Sequence, residues 1–121
     1  MSYVLHLEDD PPLIEIFRLG LMATIPDVTL KQFKNGEEAI TFIEENGKTI
    51  DLFVLDIRVI GDKTGIDVAK RIRELELNAP IIISSAFDNP SYTLLNELNA
   101  IWEPKPWHVQ EIMLKIRQYL D

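Results

Sequence analysis

The chain has 121 residues, 46% of them apolar, enough to build the core of one domain over residues 1–121. Twelve basic against 20 acidic residues leave a formal charge of -8, which repels nucleic-acid phosphates and anionic membranes, so neither is expected as a direct partner. The absence of cysteine excludes disulfides and thiolate metal sites; with no signal-like start or long apolar run, a cytoplasmic location is expected.

The first strand is predicted at "YVLHL" (3–7), which runs into Glu8, Asp9 and Asp10 and then Pro11-Pro12. Leu13, Ile14, Phe17 and Leu21 follow at helical spacing. "VTLKQF" (28–33) predicts the second strand, and Asn35-Gly36 opens a helix carrying Ala39, Ile40 and Ile43. Asn46-Gly47 is expected to close that helix in a left-handed conformation. "LFVLD" (52–56) and "IIIS" (81–84) do not alternate apolar with polar, as expected for central parallel strands covered on both faces. Between them lies a helix anchored by Ile66, Ala69 and Ile72. In "FDNPSYTLLNELN" (87–99) only Leu94, Leu95 and Leu98 are apolar anchors, so a short helix beginning at Asn89-Pro90 is predicted. "AIWE" (100–103) is a weaker fifth strand, and Val109, Ile112, Met113, Ile116 and Leu120 define the last helix. Alternating strands and helices predict an α/β fold, a doubly wound five-stranded parallel sheet with helices on both faces.

In such a sheet, residues that directly follow the strands converge outside their carboxyl ends. Here those residues are Glu8, Asp9 and Asp10, then Asp56, then Ser84 and Ser85, with Lys105 after the fifth strand. Carboxylates gathered from different strands repel one another and lose water, which either raises a pKa or calls for a cation. Mg2+ takes oxygen ligands, usually one or two carboxylates with waters and phosphate oxygens, so Mg2+ is the expected cofactor. A carboxylate beside it can attack a phosphoryl group, and Asp56 is the best placed to do so. Taken singly, Asp10 reads equally as a helix cap, Asp56 as a loop acid, Ser85 as a turn hydroxyl and Lys105 as a surface charge. As a set they point to one shared site. His6 and His108 have no partner at metal-ligand spacing and read as structural or exposed.

The ordered stretches "VLHLEDDPPLIEIF", "NGEEAITFI", "DLFVLDIRVIGDKTGID", "PIIISSAFD" and "WEPKPW" resemble the receiver domain of two-component response regulators along essentially the whole chain. The resemblance implies the flavodoxin-like sheet of receiver type. It also implies that Glu8 and Asp9 are the acidic pair, Asp56 the phosphoacceptor, Ser85 the switch hydroxyl and Lys105 the family's lysine. The backbone carbonyl of Arg58 would be the remaining protein ligand of Mg2+. Trp102 matches the aromatic that turns inward beside Ser85 on activation; by its own chemistry it reads equally as an interfacial core tryptophan. Trp107 is read as packing, and Lys105-Pro106 resembles a bond that is cis in the family.

The phosphoryl would come from a sensor histidine kinase, a histidine phosphotransfer protein or a small acyl phosphate. The chain would catalyse that transfer and its own dephosphorylation without being a metabolic enzyme. The chain reads as a stand-alone receiver whose changed surface binds an output protein, with a phosphorylation-dependent homodimer as one form. It departs from the family pattern at Ile60, where proline is usual, in a loop one residue longer and therefore expected to be more mobile. Arg58 and Phe87 are expected to tune the lifetime of the phosphorylated state. Two other readings remain open at this point. One is a Mg2+-dependent phosphatase using an aspartate nucleophile on a small metabolite; the other is a receiver-fold binding module that is never phosphorylated.

Overall fold

The computed structural model describes residues 1–121. The elements follow in the order β1 (Tyr3–Leu7), α1 (Pro11–Thr24), β2 (Thr29–Phe33), α2 (Gly36–Asn46), a 3-10 turn (Gly47–Thr49), β3 (Leu52–Asp56), α3 (Gly65–Glu74), β4 (Ile81–Ser85), α4 (Tyr92–Leu98), β5 (Ala100–Pro104) and α5 (Val109–Leu120). All strand pairs are parallel, in the order β2-β1-β3-β4-β5, the doubly wound sheet expected from the sequence. The chain reverses its winding between β1 and β3, and that crevice is where open sheets of this kind place their ligands.

Alternate residues of each strand feed two cores. Leu5, Leu7, Phe53, Leu55, Ile81 and Ile83 pack under α2, α3 and α4 through Ala39, Ile43, Val68, Ala69, Ile72 and Leu98. Val4, Leu52, Val54 and Ile82 pack on the other face against Phe17 and Leu21 of α1 and Ile112, Met113 and Ile116 of α5. β3 and β4 are buried at every position, which is why their sequences run apolar without alternation.

Three local expectations need correction. Gly47 is right-handed, with φ of -57°, and leads into the 3-10 turn instead of closing α2 in a left-handed conformation. A Cβ there would sit 2.5 Å from Leu77 Cδ1, so a larger residue would have to displace the end of that side chain. α4 starts after Ser91, not at Asn89-Pro90, because the Ser91 hydroxyl accepts the Leu94 N–H at 3.1 Å and caps the first turn. The β3–α3 loop, expected to be loose, is fastened to α2. The Glu37 carboxylate accepts the N–H groups of Asp62 and Lys63 at 3.3 and 3.1 Å, and Ile60 bridges to Asn35. Gly61 beside it has φ of +98°, which favours glycine, and any Cβ would strike the Glu37 carboxylate.

Two expectations about the histidines and prolines resolve plainly. His6 is buried in β1, stacked on Phe17 with ring centres 3.8 Å apart, while His108 stands exposed at the N-cap of α5. The Lys105-Pro106 peptide is cis.

Candidate functional site

Each strand end delivers its polar residue because the apolar strand is anchored in both cores and the chain must leave the sheet there. β1 hands Glu8 to the crevice almost fully buried and Asp9 half-buried, before Pro11 and Pro12 occupy the first turn of α1. Asp10 takes the N-cap position, but its side chain makes no capping bond. β3 ends on Asp56, also buried, and β4 ends on buried Ser84 and Ser85. Lys105 follows β5 and reaches back across the sheet.

One oxygen from each of Glu8, Asp9 and Asp56 lies within 4.8 Å of the others. Lys105 Nζ donates to Glu8 Oε1 at 2.6 Å and lies 3.3 Å from Asp56 Oδ2, with only 10% of the lysine side chain exposed. Burial, and next the adjacent Glu8, push the Asp56 carboxyl up to about 7, against the pull of Lys105. Above about pH 7, with Asp56 ionised, three carboxylates facing one ammonium leave about two negative charges to be balanced, and all the donors are hard oxygens. This donor set fits a divalent cation such as Mg2+.

The lysine is braced from behind. Its backbone N–H donates to Ser85 O at 3.1 Å. The neighbouring Trp107 donates its Nε1–H to Ser84 Oγ at 2.8 Å and presents its ring 5.6 Å from Lys105 Nζ. The sequence points to packing for Trp107; its bond to Ser84 depends on two loops that only the fold brings together.

Gly65 sits behind Asp56 at the start of α3. A Cβ on it would fall 2.1 Å from the Asp56 carbonyl oxygen, so α3 reaches the end of β3 only because residue 65 has none. The Thr64 hydroxyl and the Asp67 carboxylate form a reciprocal cap that fixes this approach. Gly65→Ala is therefore expected to destabilise the chain by about 1–3 kcal/mol, as overpacking does. A shifted urea midpoint would register this, and an unchanged one would show that the β3–α3 junction yields freely.

Ser85 lies in the same pocket, and its hydroxyl hydrogen goes to Asp88 Oδ2 at 3.2 Å, while its oxygen accepts the N–H groups of Phe87 and Asp88, each at 3.3 Å. Arg58 lines the pocket mouth but turns its guanidinium to Asp88, making bonds of 2.7 and 3.1 Å. Arg58 holds the Asp88 carboxyl below the usual carboxylate range. The sequence alone gives Asp88 no role. An acid in the turn after β4 is an ordinary loop residue until Arg58, 30 positions away, is seen beside it. Phe87 is 86% exposed at the rim. Trp102 is half-buried on β5, paired in register with Ile83 and packed against the core under α2 to α4.

The cavity formed by these residues has a volume of about 220 Å³ and is lined by Glu8, Asp9, Asp56, Arg58, Ser85 and Lys105 among others. No helix of the chain is long and apolar enough to cross a membrane.

Comparison with known proteins gives one family. Residues 4–117 match the response regulator receiver domain. The transcriptional regulatory proteins YkoG of Bacillus subtilis and TrcR of Mycobacterium tuberculosis are each 28% identical, over 98% and 97% of this chain. The chain spans about half the length of these curated relatives, 51% of the first and 44% of the second. Among solved structures, the CheY-like receiver domain of Methanospirillum hungatei superposes with a TM-score of 0.86 at 17% identity, covering 100% of this chain and 94% of that one. At that identity the likeness speaks for the fold alone.

Proposed function

The chain belongs to the response regulator receiver domain family, and from that premise we propose that it is a phosphorylation-driven switch in which Asp56 is the phosphoacceptor. The observation that carries this reading is the convergence of Asp56, Glu8, Asp9, Ser85 and Lys105 in one small cavity at the sheet's switch point.

An Asp56 carboxylate oxygen attacks the phosphorus of the donor. A new O–P bond forms as the donor's bond to phosphorus breaks, and the electron pair leaves with the donor nitrogen or oxygen. Glu8, Asp9, Asp56 and the Arg58 carbonyl would hold Mg2+, which supplies positive charge to the phosphoryl oxygens. Lys105, already 3.3 Å from Asp56, neutralises charge on the transferred group. The Ser85 hydroxyl then moves from Asp88 to a phosphoryl oxygen, the β4–α4 loop follows, and Trp102 turns into the space vacated. Arg58 and Phe87 border the phosphoryl and set how readily water reaches it.

The donor is a phosphohistidine on a sensor kinase or histidine phosphotransfer protein. The cavity around Asp56 has a volume of about 220 Å³. Beside it a hollow of about 390 Å³, lined by Leu13, Ile16, Ala86, Pro106, Trp107 and Val109, gives a protein donor an apolar foothold. The formal charge of -8 disfavours direct contact between this surface and DNA. With a sensor kinase as donor, we place this switch in a cytoplasmic phosphorelay.

Incubation with acetyl phosphate and Mg2+ is expected to add about 80 Da, one phosphoryl group, to the intact mass. Asp56→Asn, and the parent chain with chelator, should gain nothing. An adduct that persists in Asp56→Asn would remove the assignment, and no adduct from either acetyl phosphate or a partner kinase would favour a module that signals without phosphate.

A further inference from the structure

Asp88 is held from two sides. Its Oδ2 accepts from Arg58 Nε at 2.7 Å and from the Ser85 hydroxyl at 3.2 Å, while its Oδ1 accepts from a terminal nitrogen of Arg58 at 3.1 Å. Arg58 belongs to the loop after β3 and Asp88 to the loop after β4, so this ion pair spans the two loops that border the cavity. The consequence for Ser85 is directional. A hydroxyl has one hydrogen, and here that hydrogen goes to Asp88, leaving none for Asp56. The Phe87 and Asp88 N–H groups, both on the Ser85 oxygen, fix the same orientation.

We infer that Asp88, braced by Arg58, is a positioning residue that holds the Ser85 hydroxyl hydrogen and leaves none for Asp56 in the unphosphorylated chain, so that phosphoryl uptake must break the Ser85–Asp88 bond. The inference rests on the reading of Asp56 as phosphoacceptor. A contact present only in the unphosphorylated state lowers the population of the phosphorylated arrangement by its own free energy. The incoming phosphoryl offers both partners of Asp88 an alternative. Its oxygens accept the Ser85 hydrogen, and its charge competes with Asp88 for the Arg58 guanidinium. Arg58 and Ser85 would therefore exchange partners together.

The test is a double-mutant cycle on the rate of mass gain with acetyl phosphate and Mg2+, together with amide exchange of the unphosphorylated chains. Asp88→Ala is expected to speed uptake about five-fold, the size suited to a partly exposed charged hydrogen bond, and to speed exchange at the Phe87 amide. In a Ser85→Ala background the same substitution should speed uptake clearly less, keeping only the share that comes from the freed Arg58 guanidinium. Asp88→Asn, nearly isosteric, should show the same direction and guards against a misfolded alanine variant. Equal acceleration with and without the Ser85 hydroxyl, or no acceleration in either Asp88 variant, overturns the inference while the phosphoacceptor assignment stands. A parent chain that never takes up phosphoryl brings down both.

Discussion

Asp56→Asn is expected to unfold at a higher temperature than the parent chain in metal-free buffer at pH 8, by roughly 5–15 °C. The direction follows from linkage. In the unfolded chain the Asp56 carboxyl ionises at its ordinary 3.8, while in the folded chain burial and Glu8 push it up to about 7. Folding is therefore helped by a proton on Asp56. That help is complete below the unfolded value, fades as pH rises through about 7, and is absent above it. At ~1.4 kcal/mol per pKa unit, the ionised carboxylate costs on the order of 2–4 kcal/mol at pH 8. The amide removes that cost at nearly the same volume. Mg2+ should raise the parent's melting temperature at pH 8 and move Asp56→Asn much less, since a bound cation relieves the same repulsion. Calorimetry with and without Mg2+ decides it: equal melting temperatures for the two proteins in chelator would show that Lys105 already neutralises Asp56 fully.

That destabilising carboxylate also explains why the site was easier to read in the sequence than some of the local structure. Acids directly after apolar strands are costly enough to be informative, and the strand ends at Leu7, Asp56 and Ser85 fall at or within one residue of where apolar patterning places them. Which of several adjacent polar residues caps α4 is a contest of similar energies, and Ser91 wins over the Asn89-Pro90 start by one hydrogen bond. At Gly47 the backbone runs on into the 3-10 turn and Leu77, from far along the chain, packs where a side chain would stand; local turn chemistry carries no trace of either. Arg58 is a similar case. Its position two residues after Asp56 marked it as a neighbour of the phosphoryl, but its present partner, Asp88, comes from a different loop. Sequence patterning fixes which residues reach the crevice; it does not fix which of them are bonded to each other before the switch acts.

His6→Leu and Asp56→Asn are expected to give stability profiles of opposite slope between about pH 4.5 and 6.5, with the parent nearly flat between them. His6 lies sealed in β1 against Phe17, with Gln32 Nε2 3.1 Å from its Nδ1. Burial, aided by the nearby Lys105, lowers it from 6.5 to about 3. The folded chain keeps His6 neutral where the unfolded chain takes up a proton, so His6 contributes a loss of stability as pH falls below 6.5, continuing to about 3. Asp56 contributes a gain over the same interval, because its folded carboxyl binds a proton from about 7 downward and its unfolded one only near 3.8. Each slope approaches ~1.4 kcal/mol per pH unit, so in the metal-free parent the two nearly cancel. Removing His6 leaves the Asp56 gain, and His6→Leu should become about 2–3 kcal/mol more stable between pH 6.5 and 4.5. Removing the Asp56 carboxyl leaves the His6 loss, and Asp56→Asn should weaken by a similar amount. Below about pH 4.5 Glu37, Asp67 and Asp88, all held below their ordinary values by hydrogen bonds, add a common loss to every variant. Urea unfolding across this range is the measurement. Parallel profiles for the two variants would mean that neither buried group titrates as its surroundings dictate, and with Mg2+ present the Asp56 gain should vanish and leave the parent following His6 alone.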